Sequence, residues 1–431
     1  MAWKKVKLGE VIQNRLGRYK PQDLEIIGLQ RISKIDFSGK IYLSEKDSNT
    51  DMILIKKGDF VISGINVEKG AMAVYVGEND ILATIHYSSY IIDHSKIDLE
   101  FLEIYLKSQN FVKAIKDQVP GGIKTEIKPK HILPLIVEIP ATITEQQEFV
   151  KKFQATQTKQ TELLTQLTTQ QNLIKKLKQA YLSEAIRGEL VEQDLSDEPA
   201  SELLARIKSE KLKTQTKKAK PLKPITSDEI PFDIPESWTW CRLSEIAEIT
   251  RGKSPQYDPK GVFKMLNQKC IKWFYVDSSH SKSINKEWFE QVNKDNKVIT
   301  GDILVNSTGE GTIGRSALAD SSVEGYINDS HILKVRSQIN QVYICNLINS
   351  IYGQDLINSV KGATSTKQTE LGVNNLSNFI IPLPPLAEQE RIVASLDELV
   401  ALCDRLESEN LRSQAQTKEL LAVVLKESLQ G

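Results

Sequence analysis

The chain has 431 residues, and its 56 Lys and Arg are balanced by 56 Asp and Glu, so a uniformly basic coat for nucleic acid is excluded and local charge has to be read instead. Apolar residues make up 40% and charged residues 26%, the composition of a folded chain with polar stretches, and the length points to two or three domains. Cys241, Cys270, Cys345 and Cys403 form no C-x-x-C pair, which argues against a zinc ribbon or a disulfide framework and for reduced thiols in a cytoplasm. No apolar run reaches the roughly 18 residues that span a membrane, and Met1-Ala2-Trp3-Lys4-Lys5 leads into no secretory core.

In chain order, Trp3-x4-Leu8-Gly9-Glu10-Val11 opens a globular stretch of about 145 residues. It has short strand signals at Phe60-Val61-Ile62 (after Gly58-Asp59) and Ala73-Val74-Tyr75-Val76, and a helical pattern over 99–116. The polar loop Gly121-Gly122-Ile123-Lys124-Thr125 follows, then Glu126-Ile127, an apolar run to Pro140, and Glu145-Gln146. Thr144 with Gln147 reads as a capping box that starts a long helix. Phe149, Phe153, Thr156, Gln160, Leu163, Leu167, Gln170, Ile174, Leu177 and Tyr181 step by fours and threes along it, a heptad seam with polar interruptions ending near Gly188.

An acidic stretch over 189–198 leads to an amphipathic helix over 199–213 with Leu203, Leu204 and Ile207, then to a basic tract and a proline-rich linker reaching Pro235. The landmarks of the opening stretch then return in order. Trp238-x4-Leu243-Ser244-Glu245-Ile246 lies 235 positions beyond the first copy, Gly301-Asp302-Ile303 lies 243 beyond, and Thr369-Glu370-Leu371 lies 244 beyond. Strand-like Ile303-Leu304-Val305 and a helical pattern over 341–360 mark this second globule. Its helix start is proline-held, by Pro382, Pro384 and Pro385. Glu388-Gln389 repeats Glu145-Gln146, and the seam returns 243 positions on as Ile392, Leu396, Leu399, Cys403, Leu406, Asn410, Ser413, Thr417, Leu420 and Val424. The expected fold is therefore α+β or α/β in two homologous globules, with two equivalent long helices that pair antiparallel. A helix of about 43 residues is roughly 60 Å long at 1.5 Å per residue, so that if each globule reads a short stretch of duplex the pair would hold the two about one to two duplex turns apart.

Catalytic chemistry is not indicated. Gly309-x-Gly311-x-x-Gly314 after Ile303-Leu304-Val305-Asn306 has the glycine spacing of a cofactor fingerprint, but a small-residue run follows it instead of an opening helix; it reads as a turn between strands or as a loop approaching a nucleic-acid backbone. Asp329-Ser330-His331 sets a triad's residue types side by side, whereas triads are assembled in space. No Walker loop, H-E-x-x-H or G-x-S-x-G occurs, and His86, His94, His131, His280 and His331 form no metal-like cluster in the sequence. The loops before the long helices are the candidate DNA contacts, because glycines allow close approach while Lys, Thr, Ser and Gln donate to phosphates and base edges. These candidates are Lys124, Thr125, Thr364, Ser365, Thr366, Lys367 and Gln368, with Ser307, Thr308 and Arg315 behind them; the bland alternative is a solvated surface loop.

The order of parts resembles the DNA-specificity subunits of type I restriction-modification systems. The resemblance is carried by Ile234-Pro235-Glu236-Ser237-Trp238-Thr239-Trp240, by Ile381-Pro382-Leu383-Pro384-Pro385-Leu386-Ala387-Glu388-Gln389-Glu390-Arg391-Ile392-Val393, by Ala180-Tyr181-Leu182-Ser183-Glu184-Ala185-Ile186-Arg187-Gly188-Glu189-Leu190, and by Pro199-Ala200-Ser201-Glu202-Leu203-Leu204. It implies target-recognition domains over 1–143 and 237–385, conserved spacer helices over 144–190 and 386–431, and a linker over 191–236. It further implies a non-catalytic chain that reads a gapped DNA target and docks two methyltransferase subunits, which would carry S-adenosylmethionine, together with restriction subunits; no cofactor or metal would be bound by the chain itself. Copy one departs from the family in having Pro140-Ala141-Thr142-Ile143-Thr144 where Pro-Pro-Leu is common. The competing reading is a coiled-coil scaffold that bridges proteins without DNA specificity.

Overall fold

The computed structural model describes residues 2–45, 49–65, 70–118, 126–214, 222–360 and 370–428. It divides into two units, one of residues 1–169 with 411–431 and one of residues 170–410.

In the first unit, β1 (Trp3–Lys7) pairs antiparallel with β10 (Ile136–Pro140), tying the opening landmark to the approach to the long helix. A four-stranded antiparallel sheet has the order β2 (Ile12–Asn14), β9 (Tyr87–Ile92), β6 (Phe60–Ser63), β7 (Met72–Val74). A second sheet has the order β4 (Ile41–Ser44), β3 (Arg31–Ile35), β8 (Ile81–Thr84), β5 (Met52–Ile55), with β3 and β8 parallel. Side chains of a strand alternate between faces. Thus Phe60 and Ile62 enter one core, with Phe101, Leu102 and Phe111 of helices α1 (Leu99–Leu106) and α2 (Gln109–Gln118), while Val61 enters the other, with Ile32, Ile55 and Ile81. Burial of each such side chain contributes about 1.5–3 kcal/mol, which is why β6 is apolar at successive positions. After the short α3 (Pro129–Ile132), α4 (Ile143–Arg187) begins on this core, with Phe149 packed edge-on against both Trp3 and Phe101.

The second unit repeats the plan. Following α5 (Ala200–Thr214), β11 (Thr239–Arg242) leads into α6 (Leu243–Ile246), and β11 pairs with β19 (Ile380–Leu383). The four-stranded sheet is β12 (Ala247–Arg251), β18 (Ile332–Ser337), β15 (Ile303–Asn306), β16 (Ser316–Leu318), strand for strand the order of β2, β9, β6, β7. The second sheet is smaller, with order β14 (Lys282–Ile284), β13 (Phe263–Leu266), β17 (Ile327–Asn328), again containing one parallel pair. Helix α7 (Lys286–Gln291) precedes β15, and α8 (Gln341–Asn349), α9 (Ile351–Val360) and α10 (Val373–Ser377) lead to α11 (Leu386–Ser428). Ile303 and Val305 join one core and Leu304 the other, as in β6. Each unit is α+β, since its sheets are mainly antiparallel.

The recurring landmarks have structural explanations. Gly58 and Gly301 adopt φ +85° and +93°, turning the chain so that the next aspartate is buried and its carboxylate accepts a backbone N–H three residues earlier, from Lys56 or Ile299 at 2.9 Å. Each carboxylate also takes an arginine fork, Arg15 on Asp59 and Arg336 on Asp302, the latter at 2.8 Å through both nitrogens. Gln146 and Gln389 are fully buried. Gln146 accepts from the N-cap of α1, Asp98 N, at 2.6 Å, and Gln389 from the N-cap of α8, Asn340 N, at 3.1 Å; each donates back to a proline carbonyl, Pro140 O or Pro384 O.

Three local expectations differ. The capping box of α4 is Thr142 with Glu145, because Glu145 N donates to Thr142 Oγ1 (3.2 Å) and Thr142 N to Glu145 Oε2 (3.1 Å), so the cap lies two residues before Thr144 and the helix starts at Ile143. The helical patterns over 99–116 and 341–360 each break in two, where Ser108 Oγ and Ser350 Oγ accept N–H groups of Phe111 and Gly353 and start a new helix. The linker beyond 222 is packed down: Phe232 lies edge-on to Trp240 and Tyr352, under the Arg187 guanidinium.

The long helices meet within each unit. In the first, Gln160 Nε2 donates to Thr417 O at 2.6 Å. In the second, Lys178 pairs with Asp404 and Glu407 at 2.6 and 3.0 Å and Asn410 Nδ2 donates to Gln170 Oε1 at 3.2 Å, an antiparallel arrangement. Phe153, Leu167, Ile174, Leu396, Leu399 and Val424 are buried or half-buried, whereas Leu163, Leu177, Leu406 and Leu420 are 41, 38, 40 and 43% exposed. The shielded neighbours are Leu164, Lys178 and Glu407, one residue on, as expected when a straight helix of period 3.6 outruns a 3.5-residue repeat.

Candidate nucleic-acid interface

Of the sequence candidates, Lys124, Thr125, Thr364, Ser365, Thr366, Lys367 and Gln368 lie outside the described residues. Ser307, Thr308 and Arg315 sit at the end of β15 and its turn into β16. That turn is held by Thr312 N and Ile313 N donating to Gly309 O, with Gly309, Gly311 and Gly314 at φ +101°, +72° and +86°. It joins two antiparallel strands and opens no helix, so the glycine motif is a strand turn.

At this corner three distant segments meet. Ser307 N donates to His331 O (2.9 Å), Leu371 N donates to Ser307 O (2.8 Å), and Thr308 bridges to Glu370. Thr308 Oγ1 accepts from Gln268 Nε2 and stands 2.9 Å from His331 Nδ1. Arg251, at the end of β12, pairs with Glu370 at 2.6 Å and donates to Ser330 O. Ser307 contributes backbone only: its hydroxyl is buried without a partner among the described residues. Arg315 Nη2 is spent on Gly311 O (2.9 Å). Asp329 caps the turn by accepting His331 N (2.9 Å), and burial pushes its carboxyl above the ordinary value, so Asp329-Ser330-His331 is a turn and not a triad.

The first unit forms the same corner. Gly64 N donates to His86 O (2.9 Å) and Ile127 N to Gly64 O (2.8 Å), matching Ser307 with His331 and Leu371. His86 Nδ1 is 3.0 Å from Glu126 Oε1, and Lys128 Nζ is 3.4 Å from the other oxygen; with His86 contributing most, these partners lower the Glu126 carboxyl below its usual range. The corner borders a depression of about 340 Å³ lined by Asn14, Arg18, His86, Ser88, Glu126 and Lys128, three of them basic. Among the described residues no group of His, Cys, Asp and Glu could hold a metal ion.

Sequence reasoning missed His86, His331, Gln268, Arg251, Glu126 and Glu370. The available signal was the repeat itself: a histidine precedes the same strand in both copies, 245 positions apart.

A second feature lies wholly within the second unit. Trp273, Phe274 and Tyr275 are 42, 45 and 60% exposed, with Phe274 at φ +70°, and they overhang a cavity of about 980 Å³ walled by α4, α11, α8 and α9.

Residues 235–416 match the family model for the type I restriction modification DNA specificity domain. The chain is 34% identical over 262 residues to the EcoEI specificity subunit of Escherichia coli, covering 58% of this chain and 43% of that protein. It is 32% identical over 266 residues to the EcoAI specificity subunit of E. coli, covering 58% of this chain and 44% of that protein. The chain thus spans less than half the length of these two relatives, whereas its 21% identity to the E. coli EcoDI specificity subunit extends over 100% of this chain and 88% of that one. The HsdS subunit from Thermoanaerobacter tengcongensis shares the fold, with a TM-score of 0.61 at 18% identity over 100% of this chain and 97% of that one. So does a chain from a study of complex assembly and conformational transition of the type I R-M system, with a TM-score of 0.63 at 16% identity over 99% and 97%. Residues 235–416 in the second unit thus carry a type I restriction modification DNA specificity domain, and the chain as a whole shares its fold with HsdS.

Proposed function

We infer that the chain is the non-catalytic reader of a gapped duplex target, each unit recognising one half-site, and that it docks two adenine-methyltransferase subunits and, where present, restriction subunits. One observation carries this reading: the two units share a strand order and the same three-segment corner, whose segments Glu126-Ile127 and Glu370-Leu371 follow the candidate loops of both copies. Two related heads on one chain suit a split DNA site. The formal charge of zero suits a reader that concentrates its cations locally, as at Arg18 and Lys128, and shares phosphate contacts with its partners.

Docking is supported by the open cavity beneath Trp273, Phe274 and Tyr275, since exposed aromatics beside a concave apolar surface favour a protein partner. S-adenosylmethionine would belong to the methyltransferase subunits. A cytoplasmic location fits the buried, unpaired thiols of Cys241, Cys270, Cys345 and Cys403, and no described helix is long and apolar enough to cross a membrane.

The test is methylation mapping by single-molecule sequencing in a host expressing the chain with its methyltransferase, against a host lacking only this chain. One gapped motif with methyl-adenine on opposite strands is expected. If an assembled, active complex produced no motif that depends on the chain, the reading would fail and a bridging scaffold would replace it.

A further inference from the structure

We propose that His331 and His86 are specificity-determining residues of opposite hydrogen-bonding character, His331 presenting an Nε2–H donor to a base-edge acceptor and His86 an Nε2 lone pair to a base-edge donor. The assignment rests on the proposed reading of DNA by the two units.

In a neutral imidazole the hydrogen bond made by one nitrogen sets the role of the other. In the second unit the partner of Nδ1 is the Thr308 hydroxyl, which already accepts from Gln268 Nε2. A hydroxyl can accept twice but has one hydrogen to give, and among the described residues His331 Nδ1 is the acceptor within its reach; giving it there leaves the ring proton on Nε2. In the first unit the partner of Nδ1 is the Glu126 carboxylate, which has no hydrogen to give and is kept ionised by His86 and Lys128. The ring proton of His86 therefore sits on Nδ1, and Nε2 faces outward as an acceptor.

Both rings are exposed, and the fold draws on main-chain groups of these residues, their carbonyls accepting from Gly64 N and Ser307 N and His331 N donating to Asp329. Any residue would supply that carbonyl, so packing does not explain why two diverged copies both place an imidazole there. What changes between the copies is the partner, from carboxylate to hydroxyl, and with it the polarity shown to a ligand. In the major groove, purine N7, guanine O6 and thymine O4 accept, while adenine N6 and cytosine N4 donate, so this exchange lets one scaffold position read two different edges.

The test uses the assembled complex of this chain with its methyltransferase subunits, at pH 8. Binding is measured on duplexes carrying each base pair at every half-site position, and on duplexes whose bases lack N7 or the exocyclic amine. His331→Ala is expected to reduce discrimination about fivefold or more at one position of one half-site only, a position where the wild type requires an acceptor edge. His86→Ala does the same in the other half-site, at a position requiring a donor. Thr308→Val, which keeps the ring but removes the hydrogen given to Nδ1, weakens the same discrimination as His331→Ala and decides the matter should the alanine variant fail to assemble. The assignment is overturned if the variants discriminate as the wild type does, if affinity falls uniformly across sequences, or if the relaxed edges have the opposite polarity. Lack of any sequence-dependent binding by the wild-type complex would instead sink the recognition reading itself.

Discussion

Gln389→Leu isolates the contact that joins the second unit to its long helix. The Gln389 side chain is fully buried, donates to Pro384 O at 2.9 Å and accepts from Asn340 N at 3.1 Å. Asn340 in turn caps α8 by accepting from Val342 N and Tyr343 N. Leucine fills nearly the same volume, so packing is kept while a buried carbonyl and a partly screened N–H lose their partners. Each orphaned group costs about 1–3 kcal/mol, and with Asn340 half-exposed the sum is about 2–4 kcal/mol. For a unit of this size about 2–4 °C of Tm follows each kcal/mol, so its transition should fall by about 4–16 °C in calorimetry. Hydrogen exchange should show lost protection over residues 340–349. Gln146→Leu, which strips Asp98 N, Pro140 O and Lys96 O of the same amide, should act on the first unit and on α1. A shift below about 2 °C with unaltered exchange over 340–349 would refute the claim that this amide joins helix to domain.

Gly188→Ala should cost about 1–3 kcal/mol in urea unfolding, because Gly188 ends α4 at φ +76° and a Cβ there would stand 2.5 Å from Pro235 Cγ. The Asp36 carboxylate accepts from Ser38 Oγ, Ser38 N and Lys40 N, which hold it at about 2 against the ordinary 3.8. A carboxyl lowered by folding stabilises fully above its unfolded value and loses that contribution as pH falls through its folded value. Stability of the first unit should therefore decline between about pH 4 and 2, with a shallower slope in Asp36→Asn, read from thermal unfolding at stepped pH. Lys367→Ala should weaken DNA binding by the complex equally on all sequences and reduce the slope of log K against log salt by about one; an unchanged slope removes Lys367 from the phosphate contacts.

What was legible in the sequence is what local chemistry dictates. Gly-Asp, Glu-Gln and the long Gly-free helices are visible because one residue type at a fixed place makes a turn, a cap or a seam. The same locality explains the errors. Thr144-x-x-Gln147 satisfies the capping pattern as well as Thr142-x-x-Glu145 does, and only the carboxylate actually bonded to Thr142 decides between them. Ser108 and Ser350 each divide a continuous helical pattern, since a serine that caps a new helix keeps the apolar periodicity of its neighbours. The corner was invisible because its parts lie far apart along the chain, Gln268 and Thr308 being separated by 40 residues and Arg251 and Glu370 by more than a hundred. Sheet order alone brings them together.

The duplication separates what folding requires from what reading requires. Where the copies agree in both residue and partner, as at Gln146 with Asp98 N and Pro140 O and at Gln389 with Asn340 N and Pro384 O, the interaction is internal and buried. Where they agree in residue but differ in partner, as at His86 and His331, the side chain is exposed and the backbone beneath it is the same. Such a buried amide cannot be lost without leaving its partners unbonded, at about 1–3 kcal/mol for each orphaned group. An exposed imidazole can change its partner at little cost to the fold, and in doing so reverses the hydrogen-bonding character of its outer nitrogen. Recognition can therefore diverge at this corner while the Gly-Asp turns, the glutamine ties and the paired helices stay as they are.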